Sequence, residues 1–315
     1  WLTWRWNRAW QRTMRQRLGE WRPDIVLTQN RLAPASVFAS CEANVRSAIF
    51  FHGYRCLSPT FFEGQDALSA PAACFWRSPW RSRFKWPLVR HCLSLYEQAY
   101  RSATAIIANS HYSAAVIKRF YRREAEVLYP IFDLEAPDKS DDAPTPSPDA
   151  SILFIKPQRI KGLAIAAAVA SILPHRHFRV LGAISRESRS AFRGARNVDL
   201  RGWVDDLPSV YRSSSLLLAP SQIPEPFGRV IVEAALYGIP CVASASGGIP
   251  EAAGEGGVLL PPSSPPAAWA ETIESILTTA RYATLAAEAR AHSRWLLTAH
   301  NPERLNTIIC AIAGR

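Results

Sequence analysis

The stretch from Pro220 to Glu251, PSQIPEPFGRVIVEAALYGIPCVASASGGIPE, constrains the fold more than any other part of the chain. Two apolar runs, 216–218 just before it and 241–243 within it, predict buried parallel strands. Between these runs, an apolar-periodic segment from Phe227 to Tyr237 predicts a helix, which ends at the glycine and proline that follow. The order strand, loop, helix, strand is typical of an open α/β sheet, where ligands bind at the carboxyl ends of the strands.

The loop before this helix has the features of an anion site with a carboxylate beside it. Pro226, Phe227 and Gly228 stand at the predicted helix start, where unpaired N–H groups attract an anion and glycine permits close approach. Glu225 lies just before them, whereas Glu233 lies among apolar neighbours, where a carboxylate needs hydrogen-bond donors. Sugar hydroxyls are suitable donors. The ordinary interpretation of two acidic residues, as solvated surface charges, is the alternative.

A second group of charged residues follows the apolar run 152–155, which predicts another strand. The sequence Lys156-Pro-Gln-Arg159-Ile-Lys161-Gly leads from this run into an Ala-rich helix. Lysines are usually solvated, but a strand–helix turn in such a sheet points at the same ligand-binding edge. We therefore expect Lys156 and Lys161 to face an anionic ligand.

The order of these motifs resembles a known family. Pro-Ser, Glu-Pro-Phe-Gly, two glutamates with seven residues between them, Gly-x-Pro, Val-Ala-Ser and Gly-Gly-x-Pro-Glu are similar to the donor domain of retaining glycosyltransferases of the GT-B fold, family 4. The resemblance extends upstream to about Ile152 and, more weakly, through the amino-terminal half. It implies an α/β protein with two Rossmann-like domains facing across a cleft. The first domain is expected to be truncated, because the chain begins at a helix where the family has a strand and a Gly-rich loop.

The resemblance also implies roles for the residues around Glu225. Glu225 is expected to touch the donor sugar as a catalytic residue. Phe227 and Gly228 would offer backbone amides to the sugar and phosphates, and Glu233 would bind the ribose hydroxyls.

For the basic turn, the resemblance implies contacts with the diphosphate from Lys156, Arg159 and Lys161. Lys156 stands where the family commonly has Arg, so it supplies charge without a bidentate fork.

His52 is the second catalytic candidate. It follows the apolar run 48–51, a predicted strand of the amino-terminal half, and so lies at that strand's carboxyl end. A lone histidine is more often structural. In the resembling family, however, a His at this place approaches the donor sugar from the opposite domain.

The domain boundaries follow from composition. Residues 134–150 hold four prolines and five acidic residues without one aromatic, which predicts a linker. With this boundary, the resemblance implies an acceptor-side domain at 1–133, a nucleotide-sugar donor domain at 151–299, and a terminal helix at 300–315 that crosses back to the first domain.

The basic charge is concentrated in the first domain. Residues 1–133 carry 19 Lys/Arg against 9 Asp/Glu, and eight of the eleven tryptophans fall in the first 86 residues. The run from Cys74 to Arg90 mixes aromatic and basic side chains, as in single-stranded nucleic-acid binders, bilayer interfaces or sites for anionic acceptors. Its aromatics could equally dock on their own domain. Likewise, the apolar stripe of residues 1–21 predicts a docked helix, with a membrane anchor as the alternative.

Several classes of protein are disfavoured. The chain has no G-x-G-x-x-G or Walker A sequence and no G-x-S-x-G elbow. It also lacks a D-x-D pair, and its six cysteines show no zinc spacing, so we predict no cofactor and no metal. The thiols are expected to be reduced, and no apolar run is long enough to span a bilayer. We expect a cytoplasmic location, with peripheral attachment to the cytoplasmic face of the membrane as the open alternative.

The function predicted by the resemblance is a retaining, metal-independent hexosyltransferase-type enzyme of polysaccharide or cell-envelope glycan synthesis. Its partners would be a nucleotide-diphosphate sugar and a glycan or lipid-linked acceptor, with an anionic membrane surface as a further candidate and no nucleic acid. The alternative is a catalytically inactive GT-B module that binds sugar nucleotides or membrane surfaces. An epimerase on the same fold matches the donor motif less well.

Overall fold

The computed structural model describes residues 2–53, 86–131, 150–299 and 301–315. The chain divides into two compact units: unit 1 comprises Trp1–Ile131 and His300–Arg315, and unit 2 comprises Phe132–Ala299. Residues 132–149, which include nearly all of the predicted linker, lie outside the described residues, as do residues 74–85 of the basic–aromatic run.

Unit 1 contains a parallel sheet whose strands follow chain order: β1 (Ile25–Gln29), β2 (Arg46–Phe51), β3 (Ala105–Ala108) and β4 (Glu126–Val127). Its described helices are α1 (Leu2–Trp21), α2 (Ala33–Glu42), α3 (Trp86–Ser102), α4 (His111–Tyr121) and α12 (Pro302–Ala313). The strand predicted at 48–51 is confirmed within β2. Strand β4 has only two residues and pairs with β3 at the edge of the sheet.

Helix α1 is docked within unit 1, as its apolar stripe predicts. Leu18 is buried with Val26 of β1 and Ala39 of α2. The indole N–H of Trp10 donates a 2.9 Å hydrogen bond to the hydroxyl of Ser36 on α2. Among the described helices, we find none that combines the length and apolar character needed to cross a bilayer.

Helix α12 packs against the sheet of unit 1. Ile308 is buried together with Ala48 of β2 and Ile107 of β3, so the helix covers one face of the sheet. At its carboxyl end, the guanidinium of Arg315 lies 2.6 Å from the carboxylate of Asp24. Although residues 300–315 follow unit 2 in sequence, they therefore complete the core of unit 1.

Unit 2 contains a second parallel sheet of six strands in the order β10-β9-β8-β5-β6-β7. These strands are β5 (Ser151–Ile155), β6 (Phe178–Leu181), β7 (Val198–Gly202), β8 (Ser214–Ala219), β9 (Cys241–Ser244) and β10 (Gly257–Leu260). The helices are α5 (Leu163–Ile172), α6 (Arg186–Ala191), α7 (Leu207–Arg212), α8 (Arg229–Leu236), α9 (Ile249–Ala253), α10 (Pro266–Leu277) and α11 (Arg281–Ala299). The predicted strands and the helix before Gly238 are confirmed, and β10 was not predicted.

The core of unit 2 forms around the central strands of its sheet, which are buried on both faces. Trp269 of α10 is fully buried, together with Ile152 of β5, Leu216 of β8 and Val242 of β9. Burial raises the pKa of the Cys241 thiol to about 12, so this thiol stays protonated and a poor nucleophile within the core. Because every strand is parallel, the loops after β5, β7, β8 and β9 all meet at the carboxyl edge of the sheet.

Candidate active site

A close ion pair lies at the carboxyl edge of the unit 2 sheet. The Lys161 ammonium is 2.6 Å from a carboxylate oxygen of Glu225, and the two side chains are only 24% and 16% exposed. Lys161 comes from the turn after β5 and Glu225 from the loop after β8, two neighbouring strands. The structure thus brings together two of the predicted site residues, 64 positions apart in sequence.

Backbone contacts fix the Lys161 turn against the loop that carries Glu225. The amide of Gln222 donates a 2.9 Å hydrogen bond to the carbonyl of Ile160, and the Ser221 hydroxyl also donates to this carbonyl. Gly162 has φ of +84°, and a Cβ there would lie 2.1 Å from the carbonyl oxygen of Pro220. Glycine is therefore required for Lys161 to reach Glu225.

Two further glycines hold the backbone of Glu225 from the other side. The Gly248 amide donates a 2.7 Å hydrogen bond to the Glu225 carbonyl, and Gly247 forms a parallel bridge with Glu225. A Cβ at Gly247 would lie 2.2 Å from the Glu225 carbonyl oxygen, and one at Gly248 would lie 2.4 Å from that of Pro226. The loops after β8 and β9 are thus in direct backbone contact, which restricts the position of Glu225.

Helix α8 begins immediately after this loop. Gly228 is its N-cap with φ of +112°, in the left-handed region that favours glycine, and no side chain caps the helix. Phe227 is buried, so its ring anchors the loop in the core. The positive end of the helix dipole therefore lies next to Glu225 in sequence.

Glu233 lies inside α8 with its side chain 13% exposed. Tyr211 of α7, which is fully buried, donates its hydroxyl to the Glu233 carboxylate over 3.1 Å. Burial, and then the negative charge of Glu233, raise the pKa of the Tyr211 hydroxyl, so it remains a donor at ordinary pH. Arg229 lies 3.4 Å from the other carboxylate oxygen. Glu233 is therefore oriented by two protein groups.

The other two basic residues of the turn are more exposed. Lys156 has a left-handed backbone with φ of +61°, and its side chain is exposed. The guanidinium of Arg159 lies 3.8 Å from the carboxylate of Glu187 on α6, and both side chains are largely in solvent. Among the described residues, Lys161 is the only one of the three predicted phosphate ligands that contacts Glu225.

His52 lies in unit 1, one residue after β2. Its ring stacks on that of Phe50, with centroids 5.9 Å apart and planes within 5°. It lines a pocket of about 360 Å³ at the carboxyl ends of β1 and β2. The remaining lining residues are Leu27, Thr28, Gln29, Phe50, Leu128, Tyr129, Pro130, Ile131 and Leu305.

Sequence reasoning missed Tyr211, which orients Glu233, and gave Gly247 and Gly248 no role in the site. The glycine pair was a visible signal, because two adjacent glycines after a predicted strand indicate close backbone approach. Tyr211 carries no local signal. Its contact with Glu233 joins two helices that are separated by strand β8.

Two family models match the chain. Residues 2–136 match the model described as Glycosyltransferase Family 4, and residues 152–279 match the model described as Glycosyl transferases group 1. The two matched ranges contain every candidate residue of the site.

Two curated proteins share parts of the sequence. The D-inositol 3-phosphate glycosyltransferase of Salinispora arenicola is 44% identical over 92 residues, which are 28% of this chain and 20% of that protein. An uncharacterized 41.2 kDa protein in the cps region of Klebsiella pneumoniae is 28% identical over 170 residues, 50% of this chain and 47% of that protein. The matched segments thus span between about a fifth and about half of these relatives.

Solved structures share the fold over nearly the whole chain. The Anabaena protein HepE, in complex with UDP-glucose, has a TM-score of 0.69 at 24% identity, covering 95% of this chain and 81% of HepE. TarM has a TM-score of 0.72 at 13% identity, covering 96% of this chain and 58% of TarM. WaaG, a glycosyltransferase involved in lipopolysaccharide biosynthesis, has a TM-score of 0.58 at 18% identity, covering 84% of this chain and 78% of WaaG.

Proposed function

Because the chain belongs to the glycosyltransferases, with a Family 4 domain at residues 2–136 and a group 1 domain at 152–279, we propose that it transfers a sugar from a nucleotide-diphosphate sugar to a hydroxyl acceptor. Its two parallel sheets have the GT-B fold. The observation that carries the proposal is the Lys161–Glu225 pair beside the glycine-capped start of α8. This corner offers a cation, a helix amino terminus and a carboxylate within one loop system.

Each part of the corner suits one part of such a donor. Lys161 and the start of α8 would bind the diphosphate, since ammonium groups and helix amino termini both favour phosphate. Lys156 and Arg159 would add positive charge near the same turn. Glu233, held by Tyr211, would accept hydrogen bonds from the ribose hydroxyls.

We propose that transfer retains the anomeric configuration. Glu225 would contact the sugar and stabilise positive charge that develops at its anomeric carbon. The departing phosphate would take the proton of the attacking hydroxyl, so no separate protein base is needed. Lys161 would stabilise the charge of the departing diphosphate, which makes the proposed reaction independent of a metal ion. His52 of unit 1 is proposed to contact the donor sugar.

The cellular role is proposed to be polysaccharide or cell-envelope glycan synthesis, with a glycan or lipid-linked acceptor. The involvement of WaaG in lipopolysaccharide biosynthesis and the cps-region relative from Klebsiella support this role. A cytoplasmic position with peripheral membrane docking fits the excess of basic residues in 1–133. Co-sedimentation with anionic vesicles tests this docking. The protein should bind the vesicles, and the bound fraction should fall as salt is added.

The test of the proposed function is a thermal-shift screen of the protein against a panel of nucleotide-diphosphate sugars. Ligand at about 100 times its Kd stabilises a protein by about 2.7 kcal/mol, which raises the unfolding temperature by several degrees. At least one donor should give this rise. NMR of the transferred sugar then checks retention. A panel without any stabilising donor contradicts the proposal, and donor binding without transfer to any acceptor favours an inactive sugar-nucleotide-binding module instead.

A further inference from the structure

Unit 2 carries a stretch of exposed arginines that the proposed reaction does not use. It lies at residues 186–196, RESRSAFRGAR, which comprise α6 and the turns that lead toward β7, and we call it the arginine segment. Its only acidic residue, Glu187, lies 3.8 Å from the guanidinium of Arg159, which is outside the segment. Four arginines of the segment are exposed and form no ion pair among the described residues: Arg186, Arg189, Arg193 and Arg196.

The fold holds these positive charges close together. Consecutive arginines are three, four and three residues apart, and like charges at such spacings repel one another on a helix. Backbone hydrogen bonds hold the turns after α6, from the Phe192 amide to the Ser188 carbonyl and from the Ala195 amide to the Phe192 carbonyl, both at 3.2 Å. The Phe192 ring is buried in the core of unit 2, which fixes the segment to the sheet. Because the fold supplies no carboxylate to these arginines, an anion bound from solution would relieve their repulsion.

The side chains of the arginine segment indicate which kind of anion fits. Every cation in it is an arginine, whose planar guanidinium binds carboxylate and phosphate groups through two parallel hydrogen bonds. Apart from the buried Phe192, the segment has no aromatic or large apolar residue, so it offers nothing that inserts into a bilayer or stacks on a nucleobase. These features favour a hydrophilic molecule that carries several carboxylate or phosphate groups.

The arginine segment begins at the edge of the sheet where the donor is proposed to bind. Strand β6, which precedes it, is a neighbour of β5, and β5 leads into the Lys161 turn. The Ser188 hydroxyl donates a 3.0 Å hydrogen bond to the carbonyl of Pro157 in that turn. From there the segment runs toward the start of β7, at the amino edge of the sheet. A polymer is long enough to contact both the donor edge and the arginines.

We infer that the arginine segment binds the acceptor, and that this acceptor is an anionic glycan whose sugars carry carboxylate or phosphate groups. The inference rests on the proposed function and narrows its acceptor to a charged one. Because the arginines lie outside the proposed reaction centre, they raise affinity for the acceptor and leave the chemical step unchanged. A neutral glycan gains nothing from them.

The inference is tested by titration calorimetry of the full chain at low salt with an oligogalacturonate, which carries a carboxylate on each sugar, and with a neutral dextran oligosaccharide of the same length. The variant Arg189→Gln/Arg193→Gln removes two charges from the arginine segment. Its matched control, Arg281→Gln/Arg294→Gln, removes two exposed arginines of α11 that form no ion pair with a described residue.

Two exposed ion pairs strengthen binding by roughly 2- to 30-fold, so Arg189→Gln/Arg193→Gln should weaken oligogalacturonate binding by this factor. The control should bind oligogalacturonate like the wild-type protein, and dextran should bind to none of the three proteins. Thermal unfolding checks the fold. The unfolding temperature of Arg189→Gln/Arg193→Gln should equal or exceed that of the wild-type protein, because two charges that repel each other are removed.

The possible outcomes separate this inference from the function on which it rests. A wild-type protein that binds a nucleoside diphosphate but no oligogalacturonate contradicts the inference and leaves the proposed function standing. An equal loss in the two double variants means that overall charge binds the glycan, which overturns the role of the segment. An equal loss for polyglutamate or for phosphatidylglycerol vesicles in Arg189→Gln/Arg193→Gln also overturns it, because the segment then binds any polyanion. Binding of oligogalacturonate without binding of any nucleoside diphosphate refutes the proposed function, and with it the acceptor role of the glycan.

Discussion

Replacement of Lys161 by methionine removes one charge from the proposed donor site while keeping most of the side chain's apolar stem. In the structure the Lys161 ammonium lies 2.6 Å from Glu225, and less than a third of either side chain is exposed. Solvent therefore screens this charge less than it screens a surface lysine. Lys161→Met leaves Glu225 without its cation and leaves the diphosphate without its closest proposed partner.

The magnitude follows from the type of contact. A hydrogen bond to a charged group contributes about 1.5–3 kcal/mol, so Lys161→Met should weaken UDP binding by roughly 10- to 150-fold. UDP affinity should not fall when Glu225, the other member of the ion pair, is changed. Glu225→Gln removes a carboxylate that competes with the diphosphate for Lys161, so UDP affinity should be unchanged or increased. Turnover should nevertheless be lost, because Glu225 is proposed to stabilise the sugar.

Titration calorimetry with UDP measures both effects, and Arg176→Met is the matched control. Arg176 lies 2.8 Å from Glu274, and the side chains are 13% and 29% exposed, close to the burial of the Lys161 pair. Arg176 precedes β6 and so lies at the amino ends of the strands, away from the proposed site. Arg176→Met should lower thermal stability without changing UDP affinity. Equal UDP affinity in Lys161→Met and wild type, or a loss in Glu225→Gln as large as in Lys161→Met, refutes the reasoning.

Three further predictions concern other groups. Tyr211→Phe removes the hydroxyl that orients Glu233 and should weaken UDP binding by about 2- to 13-fold in calorimetry. Glu233→Gln should weaken it further. Unchanged UDP affinity in both variants contradicts the ribose role of Glu233. His52→Ala should lower kcat for transfer while the UDP affinity of unit 2 is retained, and a loss of UDP affinity would show that the assignment is wrong. Hydrogen bonding from Arg176 holds the pKa of the Glu274 carboxyl below its ordinary value of 4.5. The Glu274 carboxylate therefore stabilises unit 2 above that pH. This stabilisation is lost as pH falls through the lowered pKa. Denaturation curves between about pH 7 and pH 3 should show a weaker acid dependence in Glu274→Gln, and an unchanged dependence would exclude this origin.

The parallel strands of unit 2 could be predicted from sequence because they are buried on both faces. Such strands appear as short continuous apolar runs, as in 152–155 and 216–218, which the structure places in β5 and β8. Helix starts were also visible where a side chain caps the helix. Ser110 accepts from the Ser113 amide over 2.9 Å, and Asp206 accepts from the Ser209 amide over 3.0 Å, so both helices begin at a side-chain cap.

Elements at the sheet edges were harder to predict. Strand β10 (Gly257–Leu260) is only partly buried along its length, and it begins with a glycine, so it lacks a strong strand signal. Strand β4 has only two residues, and among the described strands it pairs with β3 alone. At such edges, pairing depends on the neighbouring strand more than on local sequence.

The contacts within the site could not be predicted from sequence for a related reason. The motifs placed Lys161 and Glu225 at the same edge, but their ion pair depends on Gly162 fitting under the carbonyl of Pro220. The hydroxyl of Tyr211 donates a hydrogen bond to Glu233, although strand β8 separates their two helices along the chain. Spacing along the chain carries no information on such long-range contacts, whereas the order of the strands does.

Hydrogen–deuterium exchange in the presence and absence of a saturating nucleoside diphosphate tests most directly whether the carboxyl edge of the unit 2 sheet binds the donor. We predict slower exchange in residues 156–162 and 225–233. Exchange at 173–177, at the opposite edge of the sheet, should be unchanged. A nucleotide that binds but protects only segments outside this carboxyl edge would contradict the proposed donor site.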